Sequence, residues 1–378
     1  MRIPIIKLPF THDDVNAISE KVKKIFASGN MVMGAYTAEF ESKYAAMNGS
    51  RHAIAVSNGT SALEIILKAL DVQEGTVIVP TNTFVASAFA AMQAGAKVEF
   101  ADCSRDTFCL DPADLKRRLH KGVKAVMLVH IGGIVTDKIL EIAAICKEAG
   151  VHLVEDCAHA HFSEFDGRMA GTFGVAAGFS FFPTKVLVSG EGGIVTTDSD
   201  ELAEKMKKIR NHGKDPARGG AITQLATNYR LSEMHAMVAA HQLDRADWII
   251  GRRREISAYY DKALADVPGL KPLPLHPKFK STYYKYLLML DPKINRVEFK
   301  KRLKEQYTID MTGEVYAGLV HEEPYFKEHG YAHLDSQRDF PGAYYVSRNH
   351  VCPPNYPLLT DEEAAYVADS MKKVVSSL

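Results

Sequence analysis

A chain of 378 residues with 46% hydrophobic side chains holds enough apolar material for more than one core, so two domains are expected. Lys+Arg and Asp+Glu balance at 46 each, which argues against the basic face that a nucleic-acid partner selects. The cysteines, Cys103, Cys109, Cys146, Cys157 and Cys352, are odd in number and form no CxxC pair; this argues against a disulfide framework or a metal site and fits a reducing, cytoplasmic setting.

The opening stretch Met1-Arg2-Ile3-Pro4-Ile5-Ile6-Lys7 is too short and too soon interrupted for a signal peptide. No apolar run reaches the ~18 residues of a membrane span, so no membrane contact is expected. The first ~25–30 residues are expected to pack on a C-terminal domain or to cover the site. From about 52 to 200, short β-branched runs alternate with amphipathic stretches. Strands are expected over 52–57, 76–80, 97–102, 123–130, 151–156, 177–182 and 193–197. Helices are expected over 60–70, with Leu63, Ile66, Leu67 and Leu70 on one face, over 84–94, and over 139–150, where Gly150 is a stop signal. Near-continuous apolar strands between helices imply a mainly parallel sheet covered on both faces.

The pattern changes near residue 230. A long helical region is expected over 232–265, followed by Pro268, Pro272, Pro274 and Pro277, a strand over 283–290, and a final helix over 360–375. The acidic start of that helix, Asp361, Glu362 and Glu363, suits its dipole. Arg252, Arg253 and Arg254, followed by Glu255, read as a solvated helix face. The expected fold is α/β: a large domain over 1–230, with a mainly parallel, mixed seven-stranded sheet between helices, and a smaller C-terminal α+β domain over 231–378.

Five segments carry candidate chemistry. In Val154-Glu155-Asp156-Cys157-Ala158-His159, acidic residues end a buried strand, where ligands of open α/β sheets bind. A carboxylate there needs a partner, either a ligand cation or the start of the next helix. In Ser180-Phe181-Phe182-Pro183-Thr184-Lys185, followed by Gly190-Glu191-Gly192-Gly193, a lysine lies between apolar residues and a glycine-rich turn. Desolvation lowers a lysine pKa, and the neutral amine attacks aldehydes. Ser57-Asn58-Gly59-Thr60-Ser61 is a strand–turn–helix junction whose free amides suit an anion, or serve only to cap the helix. Phe84 follows the next strand and could lie on a heteroaromatic ring or simply pack in the core. Thr227-Asn228-Tyr229-Arg230 precedes the long helix and could be turn and cap chemistry.

In order and spacing these segments resemble the DegT/StrS sugar aminotransferases, a branch of the fold-type I pyridoxal-phosphate enzymes. The resemblance runs from about Gly34 to the final helix and includes Arg210-Asn211-His212-Gly213 and Pro357-Leu358-Leu359-Thr360. It implies that Lys185 holds pyridoxal 5'-phosphate as a Schiff base and moves protons. Asp156 would pair with the pyridine nitrogen and His159 would approach the phenolic oxygen. Phe84 would stack on the ring, while Asn58, Gly59, Thr60, Ser61 and Ser180 would surround the phosphate. It also implies a homodimer, with Asn228 reaching the partner's phosphate, and ping-pong transfer from glutamate or glutamine, by way of pyridoxamine phosphate, to a keto-sugar. Arg230 and His321 are the residues expected to contact substrate, with a structural role in its loop as the alternative for His321.

Some segments depart from the family pattern. Ile131-Gly132-Gly133-Ile134-Val135 stands where relatives more often carry an aromatic and one Gly, and 312–321 lacks the basic residue and Pro expected before His321. Glu322 and Glu323 stand where Gln is common. These changes leave the cofactor chemistry intact and leave open which sugar, or cyclitol ketone, is aminated. A dehydratase of the same fold would replace the lysine by His, so Lys185 favours transamination; a binding protein without catalysis would not need the Asp156/Lys185/Ser180 set.

Overall fold

The computed structural model describes residues 2–311 and 313–378; Met1, and Thr312 of the 312–321 segment, lie outside the described residues. The seven expected strands are present: β1 (His52–Val56), β2 (Thr76–Pro80), β3 (Lys97–Ala101), β4 (Val123–Val129), β5 (His152–Asp156), β6 (Ala176–Ser180) and β7 (Gly193–Thr197). They form one sheet in the order β1-β7-β6-β5-β4-β2-β3. β7 runs antiparallel to both neighbours; the other pairs are parallel. The carboxyl ends of β1, β2, β5 and β6 therefore share one edge, and β7 begins there.

Around the sheet lie α1 (His12–Ser28), α2 (Ala35–Asn48), α3 (Gly59–Ala69), α4 (Val85–Gln93), α5 (Pro112–Arg118), α6 (Ile139–Ala149) and α7 (Asp200–Arg210). α3 sets the position of the site. Its Leu63, Ile65, Ile66 and Leu67 are buried, each contributing about 1.5–3 kcal/mol. Gly178 allows α3 to lie against β6, because a Cβ there would meet Leu63 Cδ2 at 2.8 Å.

The C-terminal part contains α8 (Glu233–Asp244), α9 (Ala246–Leu264), α10 (Arg296–Tyr307), α11 (Pro341–Arg348) and α12 (Asp361–Val375), with an antiparallel sheet of β8 (Leu270–Pro272), β9 (Leu288–Leu290) and β10 (His350–Val351). Its own core gathers Ile256, Tyr260, Leu288, Phe299, Val367 and Met371. α8 and the start of α9 (Ala236, Ile249, Ile250) belong instead to the large core, to which Val320, Phe326 and Phe340 also return. The chain start does reach the small core: Ile3 is buried in it and bridges to Ile309.

Three expectations are corrected. The helical region over 232–265 is two helices, broken at Arg245, whose ψ of 4° departs from the helical value. Of the strand expected over 283–290 only Leu288–Leu290 forms, because Tyr283 takes the left-handed conformation with φ 49° and turns the chain. Arg253 is not on a solvated face: it is 3% exposed, while Arg252 pairs with Glu255 and Asp361 and Arg254 donates to the Ser281 carbonyl. α1, α2, α5, α7, α10 and α11 were not expected, although Thr11 and Asp14 form a capping box that opens α1.

Candidate active site

The strand edge shared by β1, β2, β5 and β6 opens into a cleft of about 440 Å³, within the usual range for small-molecule sites. Asn58, Gly59, Thr60, Phe84, Asp156, His159, Ser180 and Lys185 all line it. Ser61 stands behind the turn, its hydroxyl 2.9 Å from that of Ser57.

Lys185 sits on the β6–β7 connection. Its backbone N–H donates to the Phe182 carbonyl at 2.9 Å, and the buried Val186 and Leu187 anchor the turn. Its Nζ lies 5.1 Å from the centre of the Tyr284 ring. Desolvation pulls the amine down to about 8, against the opposing pull of Asp156. A sizeable neutral fraction is therefore present near neutral pH.

Asp156 ends β5 and is 5% exposed. Its Oδ2 accepts the Ser87 hydroxyl at 2.7 Å and its Oδ1 the Ala158 N–H at 3.1 Å. The Thr83 hydroxyl lies 2.8 Å from Ser87 and completes a relay on the first turn of α4. Burial pushes the carboxyl up, while Ser87, Ala158 and Lys185 pull it down. His159 is 4% exposed and stacks on Tyr284 at 4.1 Å. Burial, then the nearby Lys185 and Lys285, hold its imidazole well below the usual range, so it is neutral. Its Nε2 lies 3.2 Å from the Tyr316 hydroxyl, and its buried Nδ1 has no partner among the described residues.

Across the cleft, Asn58 caps α3 by accepting the Ser61 N–H at 2.8 Å. The Gly59 and Thr60 N–H groups, at the start of the helix, have no acceptor among the described residues. A Cβ on Gly59 would meet Ser180 Cβ at 2.8 Å, so only glycine leaves room for the Ser180 hydroxyl beside those amides. Phe84 is 58% exposed, presenting its ring to the cleft, with Tyr316 6.5 Å away. A buried carboxylate, an unpartnered imidazole nitrogen, an exposed aromatic face and free helix amides suit a flat heteroaromatic ring carrying a phosphate.

Besides Ser61, three expected residues do not line this cleft. His321 is a correction: it is 2% exposed, with Nδ1 2.6 Å from the Thr81 hydroxyl and Nε2 3.1 Å from the Ser336 hydroxyl. Both ring nitrogens are engaged within the fold, so it acts as a strut between Thr81 and the C-terminal segment. Arg230 donates to the Asn211 side chain at 2.6 Å, and the exposed Asn228 accepts the Arg230 N–H. Their segment joins the α3 turn where Ser57 N–H donates to the Tyr229 carbonyl at 2.8 Å. Sequence reasoning missed Ser87, Tyr284 and Tyr316. Ser87 lies three residues beyond Phe84 and four beyond Thr83, a spacing that brings side chains together at a helix start; the Tyr283-Tyr284-Lys285-Tyr286 run was a signal hidden by the strand expectation.

His130, Glu155 and Cys157 also come together, buried. Both Glu155 oxygens are already used, accepting His130 Nε2 at 2.9 Å and the N–H groups of Gly171, Phe173 and Gly174. Burial pushes the Cys157 thiol well up.

A lysine and a carboxylate in one cleft at the strand ends, on this sheet, define a pyridoxal-phosphate-dependent aminotransferase. The chain belongs to the DegT/DnrJ/EryC1/StrS aminotransferase family, whose model matches residues 12–372. It is 33% identical to GDP-perosamine synthase of Vibrio cholerae over 345 residues, covering 90% of each chain. It is 32% identical to the spore coat polysaccharide biosynthesis protein SpsC of Bacillus subtilis, covering 94% of each. The crystal structure of S. venezuelae DesV superimposes with a TM-score of 0.91 at 28% identity, covering 98% of each chain. No helix among the described residues is long and apolar enough to cross a membrane.

Proposed function

We propose that this enzyme transfers an amino group from glutamate or glutamine to a keto-sugar, with Lys185 as the residue that holds the cofactor and moves the proton. The observation that carries this reading is the placing of the Lys185 amine, made less basic by burial, and the buried Asp156 carboxylate in one cleft. When bound, pyridoxal phosphate supplies an electron sink. Lys185 would bind its aldehyde and, once displaced, shuttle a proton at the substrate carbon. Asp156, oriented by Ser87, would keep the ring nitrogen protonated. His159 would donate from Nδ1 to the ring's phenolic oxygen, provided that Tyr316 donates to Nε2. Phe84 would cover a ring face. The Gly59 and Thr60 amides, with the Thr60 and Ser180 hydroxyls, would hold the phosphate, while Asn58 and Ser61 keep the turn in shape. The names of the relatives, such as GDP-perosamine synthase, support a sugar acceptor carried on a nucleotide.

The active unit on this reading is a homodimer. Ile222 and Leu225, on the segment leading to Asn228, are 71% and 101% exposed, and Phe182 at the cleft rim is 45% exposed. A second copy would cover these apolar groups and bring Asn228 to a phosphate that its own protomer does not approach, with Arg230 beside the substrate. The cysteines, all buried and none in a disulfide among the described residues, favour a reducing compartment such as the cytoplasm.

The test is spectroscopic. Purified protein loaded with pyridoxal phosphate should show a Schiff-base absorbance band that bleaches with glutamate or glutamine and returns with a keto-sugar, the aminated product being identified by mass. A band that no amino donor bleaches would refute transamination.

A further inference from the structure

Beside the cofactor cleft lies a second cavity of about 400 Å³, bordered by Phe84, Thr184, Tyr284 and Tyr316, residues that line both. Its other walls are Arg253, Lys285, Glu314 and Asn355, with Ile5 and Ile6 of the chain start.

Arg253 is the unusual member. It is 3% exposed, and its Nη1 donates only to main-chain carbonyls: Tyr283 at 3.2 Å, Tyr284 at 3.4 Å and Asn355 at 2.7 Å. Its Nε is buried without an acceptor, and no carboxylate among the described residues pairs with it. The one acidic wall residue, Glu314, is engaged by Lys300 at 2.8 Å and Arg296 at 3.6 Å. A guanidinium this buried normally has a counter-ion, because carbonyl dipoles replace only part of its hydration. Burial lowers it to about 10, so it stays charged at neutral pH. Asn355, 6% exposed, has a buried Oδ1 with no donor, while its amide donates to Ser257 at 3.0 Å. Lys285 adds a second cation on the same wall, its Nζ 5.5 Å from the Tyr284 ring centre.

We infer that this cavity is an anion subsite, in which Arg253 and Lys285 receive the negatively charged end of a substrate whose reacting carbon lies at Lys185. The inference rests on the transamination reading and deepens it. Two substrate anions share the chemistry of acidic oxygens that Arg recognises: a carboxylate of the amino donor, and the phosphates linking a sugar to a nucleotide. The main-chain bonds of Arg253 also tie the subsite to the cleft, because they hold the turn that carries Tyr284 over Lys185 and His159.

Titration calorimetry on the cofactor-loaded enzyme separates the two sources. Glutarate presents the donor's carboxylates without its amine; inorganic pyrophosphate stands for the sugar carrier. Loading blocks the phosphate-holding turn at α3 from either probe. At least one probe should bind, and its affinity should fall about tenfold or more in Arg253→Gln and measurably in Lys285→Gln. A fall for glutarate assigns the subsite to the donor, and a fall for pyrophosphate assigns it to the carrier. If Arg253→Gln does not fold, Lys285→Gln decides. Binding of neither probe, or unchanged affinity in Lys285→Gln, overturns the subsite. Bleaching of the wild-type band by glutamate is read separately, so a failed titration with intact bleaching rejects the subsite alone.

Discussion

Strand β5 ends in two neighbouring acids that face opposite sides of the sheet. Glu155 is fully buried behind the cleft and has four donors: one imidazole and three main-chain N–H groups. Asp156, facing the cleft, has a hydroxyl and a single N–H, beside a histidine nitrogen with no partner. The same chemical group therefore serves two purposes. Where the fold itself satisfies a carboxylate, it pins loops together; where it does not, the shortfall is the capacity to bind a ligand.

The comparison can be broken or sharpened by substitution. The largest effect is expected for Lys185→Ala, which removes the amine and should lower keto-sugar amination by about a thousandfold or more, with an unchanged circular dichroism spectrum. A wild-type rate in that variant would end the assignment. Asp156→Asn should come next, with a loss in kcat of about a hundredfold and a melting temperature close to wild type, because Asn still accepts from Ser87. Glu155→Gln should invert the pattern. Its amide would confront N–H groups, costing about 2–4 kcal/mol of stability, while turnover per folded molecule changes by less than about threefold. Chemical denaturation and active-site titration would measure the two arms, and equal effects on both acids would erase the contrast.

The smallest effect concerns pH. In the cofactor-free chain, the Lys185 amine titrates at about 8 when folded, against 10.5 as the ordinary value. The folded state thus binds fewer protons between those values, and stability should rise with pH through that window. Below about pH 8 the buried ammonium is a burden of roughly 1–3 kcal/mol. Lys185→Met should remove that slope, seen as a flatter difference in denaturation midpoints between pH 7 and 10.

Most of the cleft was readable because its parts are local. The seven strands follow from apolar runs, and Asp156, Ser180, Lys185 and the α3 turn sit at element ends that sequence alone locates. What was hidden depends on long-range closure. Tyr284 and Tyr316 reach the site from residues far along the chain, and Tyr283's left-handed turn breaks a run that alternation reads as strand. His321 follows the family segment by position, yet its two ring nitrogens are taken by Thr81 and Ser336, a pairing across 240 residues that no local pattern announces. Arg253 was misread for the same reason: the carbonyls it holds belong to segments 283–284 and 355.

The reversed direction of β7 has a consequence for traffic. A uniformly parallel sheet would need a crossover after Ser180, usually a helix arching over the strand ends. Here the chain turns straight back through 181–192, so no crossover helix roofs Lys185, and the cover over its amine comes from the distant Tyr284 turn instead. A substrate approaching Lys185 therefore meets the Tyr284 ring rather than a crossover helix.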